Sequence, residues 1–141
     1  MKIMNEYTTE ELEQEITRRK EDQDTWIDPE TGLEWQTGIG CEMNWEESLK
    51  YAGELDLSGK SDWRLPTRKE LFSLISDIKT RPCIKTSSLE CASSGYWSST
   101  TFANYTSYAW SVHFSSGSVY HHDKSYNYYV RCVRGGSESI I

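Results

Sequence analysis

Apolar positions in this chain follow two different periods, and the change between them divides it. In the first half, three segments carry helical spacing, and each opens with a capping box, a polar N-cap side chain paired reciprocally with a Glu three residues on. Thr8 with Glu11 opens ELEQEITRRK, whose apolar face is little more than Leu12 and Ile16. That predicts an N-terminal helix that packs on a neighbour, projects as an oligomerisation arm or stays at the surface. Asn44 with Glu47 opens NWEESLKYAGEL, in which Trp45, Leu49, Ala52 and Leu55 form the expected buried face. Thr67 with Glu70 opens TRKELFSLISDI, with Leu71, Leu74, Ile75 and Ile78 as the inward stripe. Between the first two helices, Trp26 and Ile27 precede the turn signal Asp28-Pro29-Glu30-Thr31-Gly32, and Leu33 and Trp35 follow it, which predicts a hairpin.

After residue 94 the period becomes two. GYWSST predicts a short strand around Trp97. YAWSVHF alternates Trp110, Val112 and Phe114 on one face with Ser111 and His113 on the other. Ser115-Ser116-Gly117 is a turn, and a strand resumes from Gly117 to Tyr120. YYVRCVR closes the domain as one strand, with Tyr129, Arg131 and Val133 on one face and Val130, Cys132 and Arg134 on the other. The predicted architecture is α+β: two packed helices and an irregular antiparallel sheet with long loops, plus the N-terminal helix.

Composition sharpens the division. From Cys91 to Ser137 there is no Leu, Glu, Gln or Met, and the stretch is crowded with Ser, Tyr, Asn, His and Thr. Stiff amphipathic rings among small polar groups are the chemistry of an antibody paratope. Hydrophobic residues make up only 36% of the chain, so the six Trp and nine Tyr must supply much of the buried area. A net charge of −7 argues against nucleic acid and anionic membrane as partners. No stretch approaches the roughly 18 apolar residues of a membrane span. The N-terminus shows no signal-peptide apolar region, so residence is left open between the cytoplasm, a removed leader and another route out, such as a virion or cell surface. Cys41, Cys83, Cys91 and Cys132 match no zinc spacing. Cys83 and Cys91 bracket a polar loop that a disulfide would staple, with free buried thiols as the alternative.

The succession TGLEWQ, NWEESLKYA, DWRLPTRKEL, GYWSST, AWSVHFSSGSV and YYVRCVR resembles the Lcl-type C-terminal domain family over residues 24–135, with DWRLPT and VRCVR the most specific pieces. The resemblance implies a C-type lectin-like fold, distantly related to the formylglycine-generating enzymes. It divides the chain into an N-terminal helical extension (1–23), a ligand-binding domain (24–135) with a variable C-terminal region at about 96–129, and a tail (136–141). Some proteins of that wider fold group are variable proteins of diversity-generating retroelements. In those systems Asn codons become codons ending in a pyrimidine, which never specify Gln, Glu, Lys, Met or Trp. The tract from Thr101 to Tyr129 fits this alphabet except at Trp110 and Lys124, which must then be fixed positions.

Taken together, these readings predict a non-enzymatic binding protein whose ligand is a protein or glycan on a cell surface. The expected contact residues are Phe102, Asn104, Tyr105, Ser107, Ser111, His113, Ser118, Tyr120, His121, Asp123, Ser125, Tyr126 and Asn127, displayed on a scaffold of Trp97, Trp110, Phe114, Gly117 and Arg131. Alternation places Ser111 and His113 there; composition places the loop residues. Two rival functions remain, a carbohydrate-binding adhesin domain of fixed specificity and an enzyme of the formylglycine-generating type. His113, His121, His122 and Asp123 raise a metal reading, but no helix sets an i,i+4 ligand pair, and one acid in the tract is too few for calcium. No metal or cofactor is expected. Arg64, Arg131 and Arg134 are read as structural, pairing with carboxylates such as Asp62 or with backbone carbonyls.

Overall fold

A computed structural model describes residues 9–10, 24–79 and 82–135. The expected N-terminal helix and tail lie almost wholly outside these residues. Among the described residues from 24 on, eight strands and two helices follow in order: β1 (Thr25–Ile27), β2 (Glu34–Gln36), β3 (Gly40–Met43), α1 (Trp45–Glu54), α2 (Arg68–Phe72), β4 (Gly95–Thr101), β5 (Tyr108–His113), β6 (Ser118–Asp123), β7 (Tyr128–Val130) and β8 (Val133–Arg134). They build a three-stranded sheet, β1-β2-β8, and a five-stranded sheet, β3-β7-β4-β5-β6. The α+β class is as expected. No described helix is long and apolar enough to cross a membrane.

Local signals act where the sequence puts them. The turn after Ile27 closes with Gly32 at φ +75° and sets Trp26 opposite Trp35. Both capping boxes form in full, at Asn44 with Glu47 and at Thr67 with Glu70. Glu70 has a second duty, since Arg64 grips its carboxylate through two bonds of 2.6 and 2.7 Å. Burial pushes the Glu70 carboxyl up, but Arg64 and the Thr67 N–H outweigh it and hold the group below its usual range.

Helix faces depart from the expected stripes. In α1 the buried residues are Ser48 and Ala52, while Leu49 is exposed. Ser48 returns its hydroxyl to the Asn44 carbonyl, so it enters the interior already satisfied. The second helix stops at Phe72, after five residues. Leu71 and Leu74 are buried as expected, but Ile78 lies beyond the helix end and is 91% exposed. The closing segment is also two strands, because the chain changes sheets at Arg131 and Cys132. β7 pairs with β3 and β4, and β8 pairs with β2.

That crossing is held from three sides. Arg131 is fully buried and donates to the carbonyls of Gln36, Thr37, Gly38 and Glu90. Arg134 reaches Glu34 and Asp62. The Arg64 and Val133 backbones exchange two bonds of 2.9 Å, so the two most specific sequence motifs pair with each other. All three arginines pair with carboxylates or backbone carbonyls of the fold.

Both faces of the large sheet are covered at its centre. Tyr96, Val112 and Phe114 face Leu71, Leu74 and the small-sheet residues Trp35 and Val133. Trp97, Ala109 and Val130 face Ala52, Trp63 and Leu65. All four cysteines are free, so the Cys83–Cys91 staple does not form.

Candidate ligand-recognition surface

The cover on the sheet thins toward β6, its outer strand, and toward the loops at one end of β5 and β6. Those two loops, 102–107 and 124–127, are clamped together by Lys124. Its N–H donates to the Ser107 carbonyl (2.9 Å), and its ammonium donates to the Thr106 carbonyl (2.8 Å) and Thr101 hydroxyl (3.1 Å). The same ammonium sits 3.9 Å from the centre of the Trp45 ring. The Lys124 carbonyl accepts from the Trp45 N–H, tying the clamp to the start of α1. Each loop is also closed internally. Tyr105 and Phe102 share a turn bond, and the Asp123 carboxylate caps Ser125 N–H at 2.9 Å. That bond holds the Asp123 carboxyl below its ordinary range.

Seven of the expected contact residues gather on this end. Asn104, Tyr105, Ser107, Ser125, Tyr126 and Asn127 are exposed, and Asp123 is half-buried in its turn. Tyr105 and Tyr126 keep 65% and 58% of their surface, so two large rings stand out on a braced base.

The remaining residues divide between the two sheet faces. On the α2 side, Phe102 stacks on His121 at 4.1 Å and meets Trp110 edge-on at 5.0 Å. The Arg68 guanidinium lies 4.6 Å over Trp110. Beside it, Arg68, Lys69, Phe72, Trp110 and Val119 line a pocket of about 320 Å³. Trp110 is therefore a half-buried wall, where alternation with Val112 and Phe114 predicted a core position. The wall residues of α2 escaped the sequence reading, which followed only the helix's inward stripe. Their one signal was the i,i+4 spacing of Arg68 and Phe72, away from Leu71.

On the α1 side, His113 and His122 meet with their Nε2 atoms 3.1 Å apart. Tyr120 packs on His113, and Tyr128 stacks on His122. Only glycine fits beneath them: a Cβ at Gly95 would come 2.7 Å from His113 Nε2 and 2.9 Å from the Tyr128 ring. Burial lowers the readiness of both imidazoles to take a proton, and each feels a neighbouring imidazole as well. His122 and Tyr128 were absent from the expected contact set.

Two expected contacts do not belong to this surface. Ser111 is fully buried. It lies opposite Trp97 and Tyr120 in the sheet, on the face over which the two imidazoles lean. Ser118 lies at the far end, in the β5–β6 turn, against Ser116. The four residues of the metal reading separate too: His113 and His122 share one face, His121 points to the other, and Asp123 caps its own turn. Among the described residues, no group of three or more His, Cys, Asp or Glu side chains converges on a point. Cys132 is buried, and its thiol is pushed up to about 12 by that burial, so it is protonated at neutral pH.

The motif DWRLPT paired to VRCVR, and the ring-rich tract hung between β4 and β7, decide the family. The chain belongs to the Lcl C-terminal domain family, whose model matches residues 24–134. No curated protein sequence matches the chain. Membership supports a ligand-binding, adhesin-like domain, and in this Lcl C-terminal domain the exposed aromatic and small polar side chains gather on the clamped loop end.

Proposed function

We propose that this chain is a non-enzymatic recognition domain with a C-type lectin-like fold, displayed on a virion or cell surface. Its clamped loops bind a protein on a target cell. The observation that carries this reading is the Lys124 clamp beneath Tyr105 and Tyr126. It fixes two loops to each other and to α1, while leaving the small polar and aromatic side chains between them outward. Affinity then comes from a few ring anchors among near-neutral contacts.

The same arrangement favours a diversified tract over one of fixed specificity. The two residues outside the Asn-codon alphabet are Lys124, which makes the clamp, and Trp110, which is held between Phe102, His121 and Arg68. Exposed positions of the two loops tolerate replacement at a cost of about 0.5 kcal/mol or less.

Flow cytometry of the fluorescently labelled domain on a panel of intact bacterial strains tests the binding reading. Tyr105→Ala and Tyr126→Ala are expected to keep the melting temperature and lose the staining that the parent gives. Full staining by both variants on every stained strain removes the loops from recognition. The gene tests diversification: Asn-type codons at the outward positions, and a near-copy differing only at adenines, are expected. A gene without such a copy leaves the fixed-specificity adhesin.

A further inference from the structure

Among the described residues, the outer edge of β6 has no strand partner. Its neighbour on one side is β5, in an unbroken register from Tyr108↔Asp123 to His113↔Ser118. Antiparallel pairing turns alternate residues toward the partner strand. Lys124 N–H bonds to Ser107, and the same alternation gives Ser118, Tyr120 and His122 to β5. The backbone N–H and C=O groups of Val119 and His121 therefore point away from the sheet, and no described residue meets them. Native edges are commonly guarded by Pro, Lys or a bulge, and β6 has none of these.

What lies beside that edge is specific. The side chains of Val119 and His121 share the α2 face, and Val119 is a wall of the pocket with Trp110 and Phe72. Two cations, Arg68 and Lys69, border the same pocket, in a chain whose net charge is −7. Neither forms a salt bridge to a described residue.

We propose that β6 is a strand-addition site for an extended, acidic segment of a partner protein. The segment pairs its backbone with Val119 and His121. On the α2 face it sets one apolar side chain in the Trp110–Val119–Phe72 pocket, flanked two residues away by carboxylates that meet Arg68 and Lys69. Strand addition supplies affinity through the main chain and selectivity through pockets for alternate side chains. The inference rests on the binding reading above and names a second element of the same recognition surface.

The probe is the peptide acetyl-Thr-Glu-Val-Phe-Val-Glu-Thr-amide, which puts Glu, Phe and Glu on one face of a strand. Fluorescence anisotropy is expected to show saturable binding, and amide exchange at Val119 and His121 is expected to slow in its presence. A peptide N-methylated at alternate residues, or one with Lys for both Glu, is expected to bind at least about tenfold more weakly. His121→Pro removes an outward N–H without touching the β5 ladder, which an edge strand tolerates. It is expected to weaken binding about tenfold, against less than about threefold for His121→Ala.

No binding of the Glu-Phe-Glu peptide overturns the proposal, as does binding indifferent to N-methylation or without protection at Val119 and His121. Self-association of the domain that His121→Pro abolishes assigns the edge to a second copy and also overturns it. Failure here, with Tyr105→Ala and Tyr126→Ala still abolishing cell staining, removes strand addition and keeps the loop reading. Peptide binding, with both loop variants still staining cells, does the reverse.

Discussion

Arg131 donates to the Gln36 carbonyl at 2.6 Å, joining residues 95 apart in sequence at the point where the chain leaves one sheet for the other. Three more carbonyls accept from the same guanidinium, while its Nε has no partner among the described residues. Arg131→Met keeps much of the side-chain volume and strands those oxygens in the interior. Urea unfolding is expected to show a loss of about 3–5 kcal/mol, and Arg131→Lys is expected to recover only part of it, because one ammonium cannot span four acceptors.

Lys124 makes a different kind of junction, between loops at the surface. Lys124→Ala is expected to cost about 1–2 kcal/mol, since two hydrogen bonds and a ring contact go together. The sharper readout is local. Amide exchange at Phe102, Tyr105 and Tyr126 is expected to quicken while that of Val112 and Val130 stays slow, which separates loosening of the loops from loss of the fold.

The histidine pair gives the domain a pH dependence of predictable sign. Both His113 and His122 are shifted below their ordinary value by burial first and by a neighbouring imidazole second. The unfolded chain therefore binds protons more readily than the folded one, and stability rises with pH across that interval. The contribution is complete above the ordinary histidine value of about 6.5 and is lost as pH falls through it toward the lower folded values. Tyr120 and Tyr128 are the rings packed on the pair, and no carboxylate of the described residues makes an ion pair with either imidazole. Melting temperature is expected to fall between pH 7 and pH 5. The double variant His113→Asn, His122→Gln is expected to flatten that fall. Glu70, whose carboxyl is held low, acts in a separate window below about 4.5.

Gly95 lies beneath the same cluster. Gly95→Ala pushes a methyl group against the His113 and Tyr128 rings, at an expected cost of about 1–3 kcal/mol. Nitrogen-15 NMR of the imidazoles is expected to show the His113–His122 bond lost, and the melting step between pH 7 and pH 5 is expected to shrink.

Much of the frame was legible because its signals are local. Each capping box needs four residues, and the hairpin from Trp26 to Trp35 needs its own turn. Alternation also placed Val112 and Phe114 in the interior. Two-sidedness was not legible. A period of two says that Ser111 and Trp110 face opposite ways, but whether either way is outward depends on helices packed from elsewhere in the chain. Hence Ser111 is buried, Trp110 is a pocket wall, and the expected contacts are shared between two faces and an end. Leu49 and Ile78 failed for a related reason: the first faces water because Ser48 satisfies itself inside, and the second lies past a helix that ends early. The strand from Gly40 to Met43 carries no alternation strong enough to announce it.

Tyr96 and Tyr129 lie side by side on parallel strands, so the chain that leaves at one returns within one strand spacing, about 4.8 Å, at the other. That excursion carries part of both cores with it, through Trp97, Ala109, Val112 and Phe114, so its length is free to change at the exposed loop tips and not along its strands.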